Sequence, residues 1–480
     1  MYKRESKTDD IQLRIEAFFL PFGGTLSRSN QWVKLESLIP WEEFEEEYAS
    51  LFPSSTGAPA LSFRIALGTL LVKERMGLSD RATVEYITEN PYVQYFLGYS
   101  SFLSNKPFDA STITHFRKRI TAEMLASINE HIVTQQFLSD DEDSDIDIPS
   151  DGGATSEDQD KQPPSGTMIL DATCTPADIS FPTDVSLLSE SREISETLID
   201  TLWKSEPRTE EKPRTYRRKA RKQFLAAARK KSLSLSERRK AVRRQLGYLR
   251  RNLRTISKLG NITVLTAKQH HQLLVISELY RQQLELFNEK KWSIPDRIVS
   301  ISQPHIRPIV RGKAGKKVEF GAKVSISLVD GFAFVDRVSF DAYNESEDLK
   351  QQAESYKRKF GKYPQRILAD QIYRNRENRK FCKENGIQLS GKPLGRPPKN
   401  GYPEEEKERW RQDECDRVPV EGKFGQVKRR FSLDRIMAKL AQTTNTVISL
   451  GFLIANLEKI LKDLLYLLIR KYSLMLQRVF

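Results

Sequence analysis

Apolar residues along this chain change rhythm several times. From Leu61 the spacing is helical: LSFRIALGTLLVKERM predicts a helix to about Met76, which Gly77 stops. Ser79 or Asp80 can cap a second helix running toward Glu89, and Pro91 opens a third carrying Tyr92, Tyr95 and Phe96. A fourth, capped by Asp109 or Ser111, carries His115, Arg117, Lys118 and Arg119. Upstream, Ser37 to Tyr48 reads as a short acidic helix with an apolar edge. Short helices with tight turns, ending in a basic one, have the pattern of a helix-turn-helix-type module. A small bundle with a solvated basic face has the same pattern.

Helical spacing returns over 183–205, again over 204–258 in basic amphipathic form, and through 266–290. From Asp296 the period becomes two. RIVSISQ (297–303), VEFGAKVSISLV (318–329) and GFAFVDRVSF (331–340) read as an antiparallel meander, with Asp330–Gly331 as the turn between the last two. A helix over 345–360, a short strand QRILAD ending at Asp370, a helix over 374–385 and a strand IQLS (387–390) follow. GKPLGRPPKN is a basic loop, 403–430 is charged and helical, and Leu433 to Leu468 form apolar helices expected to pack on the core.

Charge divides this pattern. Between Ser139 and Asp160 there are ten acidic residues and no Lys or Arg, the composition of a disordered linker. Residues 204–258 hold 21 Lys and Arg against four Glu. Their net of +17 exceeds the +14 of all 480 residues, so the remainder is slightly acidic. Four acids cannot pair 21 bases, and a solvated salt-bridged hairpin leaves most of them unexplained, so phosphate contact is the expectation. Arg217, Arg218, Lys222, Arg243 and Arg244 are candidates there, as are Arg117 and Lys118 in the N-terminal helices. A membrane is the weaker polyanion, because Glu458, Lys459, Lys462 and Asp463 interrupt the longest apolar stretch, Val447 to Ile469. Three scattered cysteines and a polar N-terminus suggest a cytoplasmic protein without disulfides or a zinc ribbon.

Two apolar strands end alike, in MIL-Asp171 and RIL-Ala-Asp370. Strand ends open into crevices where ligands bind. Two carboxylates brought together there repel unless they share a cation, and such hard oxygen ligands suit Mg²⁺ or Mn²⁺. A third carboxylate is available in RVPVEGKFGQVKRRF. Glu421, Phe424 and Lys428 lie on one helical face with Arg417 a turn earlier, which suits either a metal ligand bracketed by phosphate contacts or an ordinary surface helix with i,i+4 pairing.

At these residues the chain resembles the DDE transposases of bacterial insertion sequences, in the superfamily named after insertion sequence five and related to that of insertion sequence four. That family carries Y-(2)-R-(3)-E-(6)-K around its glutamate; Arg417, Glu421 and Lys428 match it, while Glu414 stands at the tyrosine position. LDAT around Asp171 with PTD at 182–184, ILADQIYRNRENR around Asp370 and PFDASTITHFRKR in the N-terminal helices are also similar, so the resemblance spans most of 40–460.

The resemblance implies an α/β fold with a ribonuclease-H-like core over 167–431, interrupted by a helical insertion at about 186–292. An all-α N-terminal domain (1–138), a linker (139–166) and C-terminal helices (432–480) surround it. It also implies catalysis by Asp171, Asp370 and Glu421 holding two Mg²⁺ or Mn²⁺ ions, phosphate contacts from Arg417 and Lys428, and double-stranded DNA as partner. That DNA would be terminal inverted repeats and target, gripped by a homodimer on paired ends in a nucleoid-associated cytoplasmic protein. A decayed transposase that only binds DNA, and a nuclease of the same fold that cuts without joining, are the alternatives.

Overall fold

Polar caps and glycine stops cut the N-terminal apolar pattern into helices close to the expected ones. The computed structural model describes residues 15, 18–20, 23–52, 59–137, 166–207, 209, 211–310, 318–393, 395, 398 and 401–479. The acidic stretch 139–165 and part of the basic loop 391–400 lie outside the described residues. Two units are distinguished: 1–175 with 323–339 and 343–480, and 176–322 with 340–342.

In the first unit, α1 (Gln31–Glu36), α2 (Trp41–Ser50), α3 (Phe63–Met76), α4 (Asp80–Glu89), α5 (Pro91–Phe96), α6 (Thr112–Arg119) and α7 (Ala122–Thr134) form the N-terminal helices. Ser62 caps α3 by accepting from the Ile65 N–H. Gly77 then ends α3 at φ 65°, a left-handed conformation that costs glycine little. Of the two candidates for α4, Ser79 is the cap. Asp109 shapes the turn before α6, and Ser111 holds the cap position without a side-chain bond. The acidic helix starts at Trp41, not at Ser37, because Pro40 stands at its cap and fits only before a first turn.

The sheet of this unit runs β4 (Phe332–Ser339), β3 (Val318–Val329), β1 (Thr167–Pro176), β5 (Arg366–Leu368), β6 (Gln388–Leu389). β3 and β4 are the expected antiparallel hairpin, closed by Asp330 and Gly331 at φ 48° and 80°. Two positive φ angles in a two-residue loop match the twist of the strands. β1, β5 and β6 are parallel. Met168, Leu170, Ile367 and Leu368 are fully buried, as both faces of a parallel strand require. Later come α12 (Leu349–Phe360), α13 (Arg376–Glu384), α14 (Glu404–Arg430) and α15 (Ala441–Val479); the labels α8 to α11 fall in the second unit. Pro419 lies inside α14 and brings no N–H for the carbonyl four residues back, that of Cys415.

Two expectations for the C-terminal segment change. Helix begins at Ala441 instead of Leu433, and α15 packs on the core only as far as Ile460. Leu464 to Ile469 are all exposed.

The second unit has its own core. α8 (Asp184–Lys204), α10 (Leu235–Leu259) and α11 (Ala267–Glu289) pack through Leu188, Ile199, Leu249, Ile276 and Leu279, with α9 (Arg217–Ala228) alongside. α8, α10 and α11 each begin in a capping box, at Thr183, Ser234 and Thr266. The strand expected at 297–303 is not formed. Ile298, Val299 and Ile301 are all buried, a run that breaks the alternation of a half-buried strand. The Ile298 N–H donates to Gln282 Oε1 on α11 at 3.0 Å in place of a ladder partner. Strand structure comes four residues later, in β2 (Arg307–Val310), antiparallel to the start of β3.

Candidate active site

Asp171 and Asp370 owe their placement to strand register. β1 and β5 pair in parallel with Ile169 opposite Leu368, so each aspartate stands two residues past a matched pair. Asp171 Oδ1 accepts from the Ala172 N–H at 2.8 Å. Asp370 Oδ1 accepts from the Gln371 N–H at 2.6 Å and caps the short 3-10 turn Gln371–Tyr373. Burial pushes the Asp171 carboxyl up to about 6; the Ala172 N–H and Arg417 oppose this, and Glu345 and Asp370 add to it.

α14 contributes the cations of the site. Arg417 Nη1 lies 3.4 Å from Asp171 Oδ2, and its Nη2 lies 3.8 Å from Glu421 Oε1. One guanidinium therefore links the first strand's aspartate to the helix glutamate, so the i,i+4 pair is present and is also part of a larger group. Glu421 itself is well exposed, at 65% of its side chain. Lys428 Nζ donates to Thr173 Oγ1 at 2.8 Å, two residues along β1 from Asp171. The helix is anchored against β5 by Arg366, whose Nη2 reaches Asp413 Oδ1 at 2.8 Å and Asp416 Oδ2 at 2.9 Å.

Asp171 lies inside β1 and not at its end as expected, because the strand runs on to Pro176, whereas Asp370 stands two residues past the end of β5; register sets the two aspartates level, and Glu421 reaches Asp171 only through Arg417. Among the described residues, no three His, Cys, Asp or Glu side chains are gathered as a cage for a metal ion. The donor chemistry nonetheless fits a hard dication. Burial disfavours the ionised form of Asp171, and a bound cation reverses that preference.

The other candidates differ in availability. Arg117 holds Asp80 through two hydrogen bonds of 2.8 and 2.7 Å and is committed within the N-terminal helices, while Lys118 is exposed. In the second unit, Arg217 pairs with Asp200 at 2.6 Å, whereas Arg218, Lys222, Arg243 and Arg244 are exposed. Sequence reasoning missed Thr173, Glu345 and Tyr373. Thr173 stands two residues after Asp171 and so on the same strand face, which is the one signal that could have found it.

Comparison with known proteins bears on this geometry. Residues 367–458, which hold Asp370, Arg417, Glu421 and Lys428, match a family described as "Transposase DDE domain". Residues 22–119 match a second, described as "Transposase domain (DUF772)". Over those residues the chain is similar to transposases, and to DDE transposases over the segment that holds Asp370 and Glu421. Neither match reaches Asp171 or the basic segment 204–258. The chain is also 38% identical over 96 residues to the "Uncharacterized protein ORF8 in nfe locus" of Rhizobium meliloti. That similarity covers 20% of this chain and 46% of the relative, so the chain spans about half the length of the curated relative it matches. No solved structure matches. No described helix is long and apolar enough to cross a membrane.

Proposed function

We propose that this chain is a DDE transposase that cuts DNA at the ends of its element and joins those ends to target DNA, from a ribonuclease-H-like core with a helical insertion. The observation that carries the reading is the register that sets Asp171 beside Asp370, with Arg417 tying Asp171 to Glu421. Asp171, Asp370 and Glu421 would hold two Mg²⁺ or Mn²⁺ ions. When bound, such ions activate a water or a DNA 3′-hydroxyl and stabilise the leaving 3′ oxygen. Arg417 and Lys428 supply the positive charge that receives the phosphate backbone beside the carboxylates. Exposed Arg218, Lys222, Arg243 and Arg244, with Lys118, offer further phosphate contacts to terminal inverted repeats and target. A homodimer would hold two ends together.

Incubation with labelled end DNA, target plasmid and Mg²⁺ tests the reading. Cleavage and joined product are expected from the parent chain. Asp370→Ala is expected to lose both and still bind DNA, because positioning and charge stabilisation carry such chemistry. Cleavage without joining would indicate a nuclease, and binding alone a decayed transposase. Cleavage by Asp370→Ala would remove the site assignment.

A further inference from the structure

Two tyrosines and an arginine stack together in the basic unit, and phosphate contacts alone make no use of them. Tyr216 stands just before α9, and Tyr248 and Arg251 lie a turn apart on α10. The Arg251 guanidinium carbon sits 4.5 Å from the centre of the Tyr216 ring and 5.8 Å from that of Tyr248. The two rings are 6.5 Å apart and tilted by 39°. The Tyr248 hydroxyl donates to Gln223 Oε1 at 3.2 Å, which ties this ring to α9. Tyr216, although stacked, remains 44% exposed.

The backbone under Tyr216 adds to this. Its φ is 56°, in the left-handed region that a bulky side chain disfavours. The residue holds the cap position of α9 yet makes no side-chain capping bond. A strained aromatic residue that stays exposed and caps nothing points to a use outside the fold.

The helix face beside it is open. Gly247 lies in the interior of α10, where glycine is unfavourable. A Cβ there would meet nothing within 4 Å, so no neighbour in the protein requires glycine. Arg243, Arg244, Arg250, Arg251 and Arg254 stand three, four or seven residues away and share its face. All five are exposed, and among the described residues none of them pairs with a carboxylate. Val242, Leu246, Leu249 and Ile256 are buried on the other side of the helix. Glycine in this place lets an outside group come close to the helix backbone, and the surrounding cations favour an anion.

An aromatic ring flanked by cations fits a flat π-system that carries phosphate, which is a nucleotide. Bases inside a duplex are stacked on one another, so only a base outside the double helix can reach the ring. We propose that Tyr216, with Arg251 stacked against it, is the platform for an unpaired nucleotide of bound DNA, whose phosphates lie along α10 across Gly247. The inference rests on the reading of 204–258 as a DNA-binding segment given above. The ring takes the base and the arginines take its backbone, so the site separates unpaired DNA from duplex and does not read sequence.

The test compares duplexes of one length, fully paired or with a single unpaired 2-aminopurine, built on end DNA and on unrelated sequence. The parent chain is expected to bind the unpaired form about ten- to a hundredfold more tightly, the usual worth of one stacked base, and to quench its fluorescence. Preference in end DNA alone assigns the platform to the element end; preference in both sequences assigns it to unpaired DNA in general. Tyr216→Gly removes the ring and suits the left-handed backbone. It is expected to lose the preference and the quenching while keeping its affinity for paired duplex, and Tyr216→Phe is expected to retain both. Gly247→Leu starts from a Cβ that meets no neighbour, so it should melt no lower than the parent and yet bind both duplexes less tightly. Equal affinity of the parent for the two forms, or an undiminished preference in Tyr216→Gly, overturns this inference and leaves the transposase reading standing. A parent chain that binds neither form overturns that reading instead.

Discussion

Asp171 carries a cost that the rest of the site must offset. Its carboxyl is pushed from the ordinary 3.8 to about 6 by burial, so between those values the folded chain binds a proton the unfolded chain has released. The stability supplied by the protonated form is full below about 3.8 and is lost as pH rises through about 6. At neutral pH the folded protein holds an ionised carboxylate in an unfavourable place, worth about 1–3 kcal/mol at roughly 1.4 kcal/mol per pH unit. Asp171→Asn is therefore expected to melt above the parent at pH 7, with the gap closing toward pH 4, while cleavage is lost. Calorimetric melts at the two pH values check this; a lower melting temperature at pH 7 would sink it. Both strand aspartates were legible in the sequence because an apolar run ending in Asp is a local pattern. Glu345 and Tyr373 were not. The turns that carry them are joined by Asn378, whose Nδ2 donates to the Ser346 and Tyr373 carbonyls, and no sequence spacing records that.

Among elements, β5 and α14 depend most on one residue. Arg366 at the start of β5 bridges Asp413 and Asp416 of α14, and the Asp413 side chain is only 5% exposed. Arg366→Ala leaves that carboxylate buried without its partner, a loss of about 1–3 kcal/mol. A lowered urea midpoint is the expected reading, accompanied by slower cleavage because α14 also carries Arg417 and Glu421. An unchanged midpoint would show that the bridge holds nothing in place. Helices were read well from sequence wherever a cap and an apolar stripe coincided, as in α3, α8 and α11. Residues 297–303 misled because strand-like residue types were serving the core of a helical unit. Leu433 to Leu440 misled because its apolar residues do not share one face: Leu433 and Ile436 are buried from a non-helical turn, whereas Met437 and Leu440 are exposed.

The whole molecule is divided by charge: 204–258 carries +17 while the remainder is slightly acidic. Arg243 and Arg244 follow Val242 on α10, whose buried face is turned to the core of its own unit, and both are exposed. If these arginines meet phosphates, replacing both with alanine lowers the slope of log K against log salt by about 2, since each contact displaces about one counterion. Titrations of end DNA at several salt concentrations read this directly, and an unchanged slope would place DNA elsewhere. That concentration of charge was legible directly, as a count of Lys and Arg against Glu. The exposed run Leu464 to Ile469 was not, because hydrophobicity alone cannot tell an interior helix from one that has left the core. Pro419 has a consequence at this scale as well. A helix bends most easily where its backbone ladder lacks a rung. α14 thus has its softest point two residues ahead of Glu421, between the half anchored on β5 and the half that ends at Lys428 and Arg430. The exposed Glu421 carboxylate rides on a compliant joint, while Asp171 sits within the paired strand β1 and Asp370 two residues past β5.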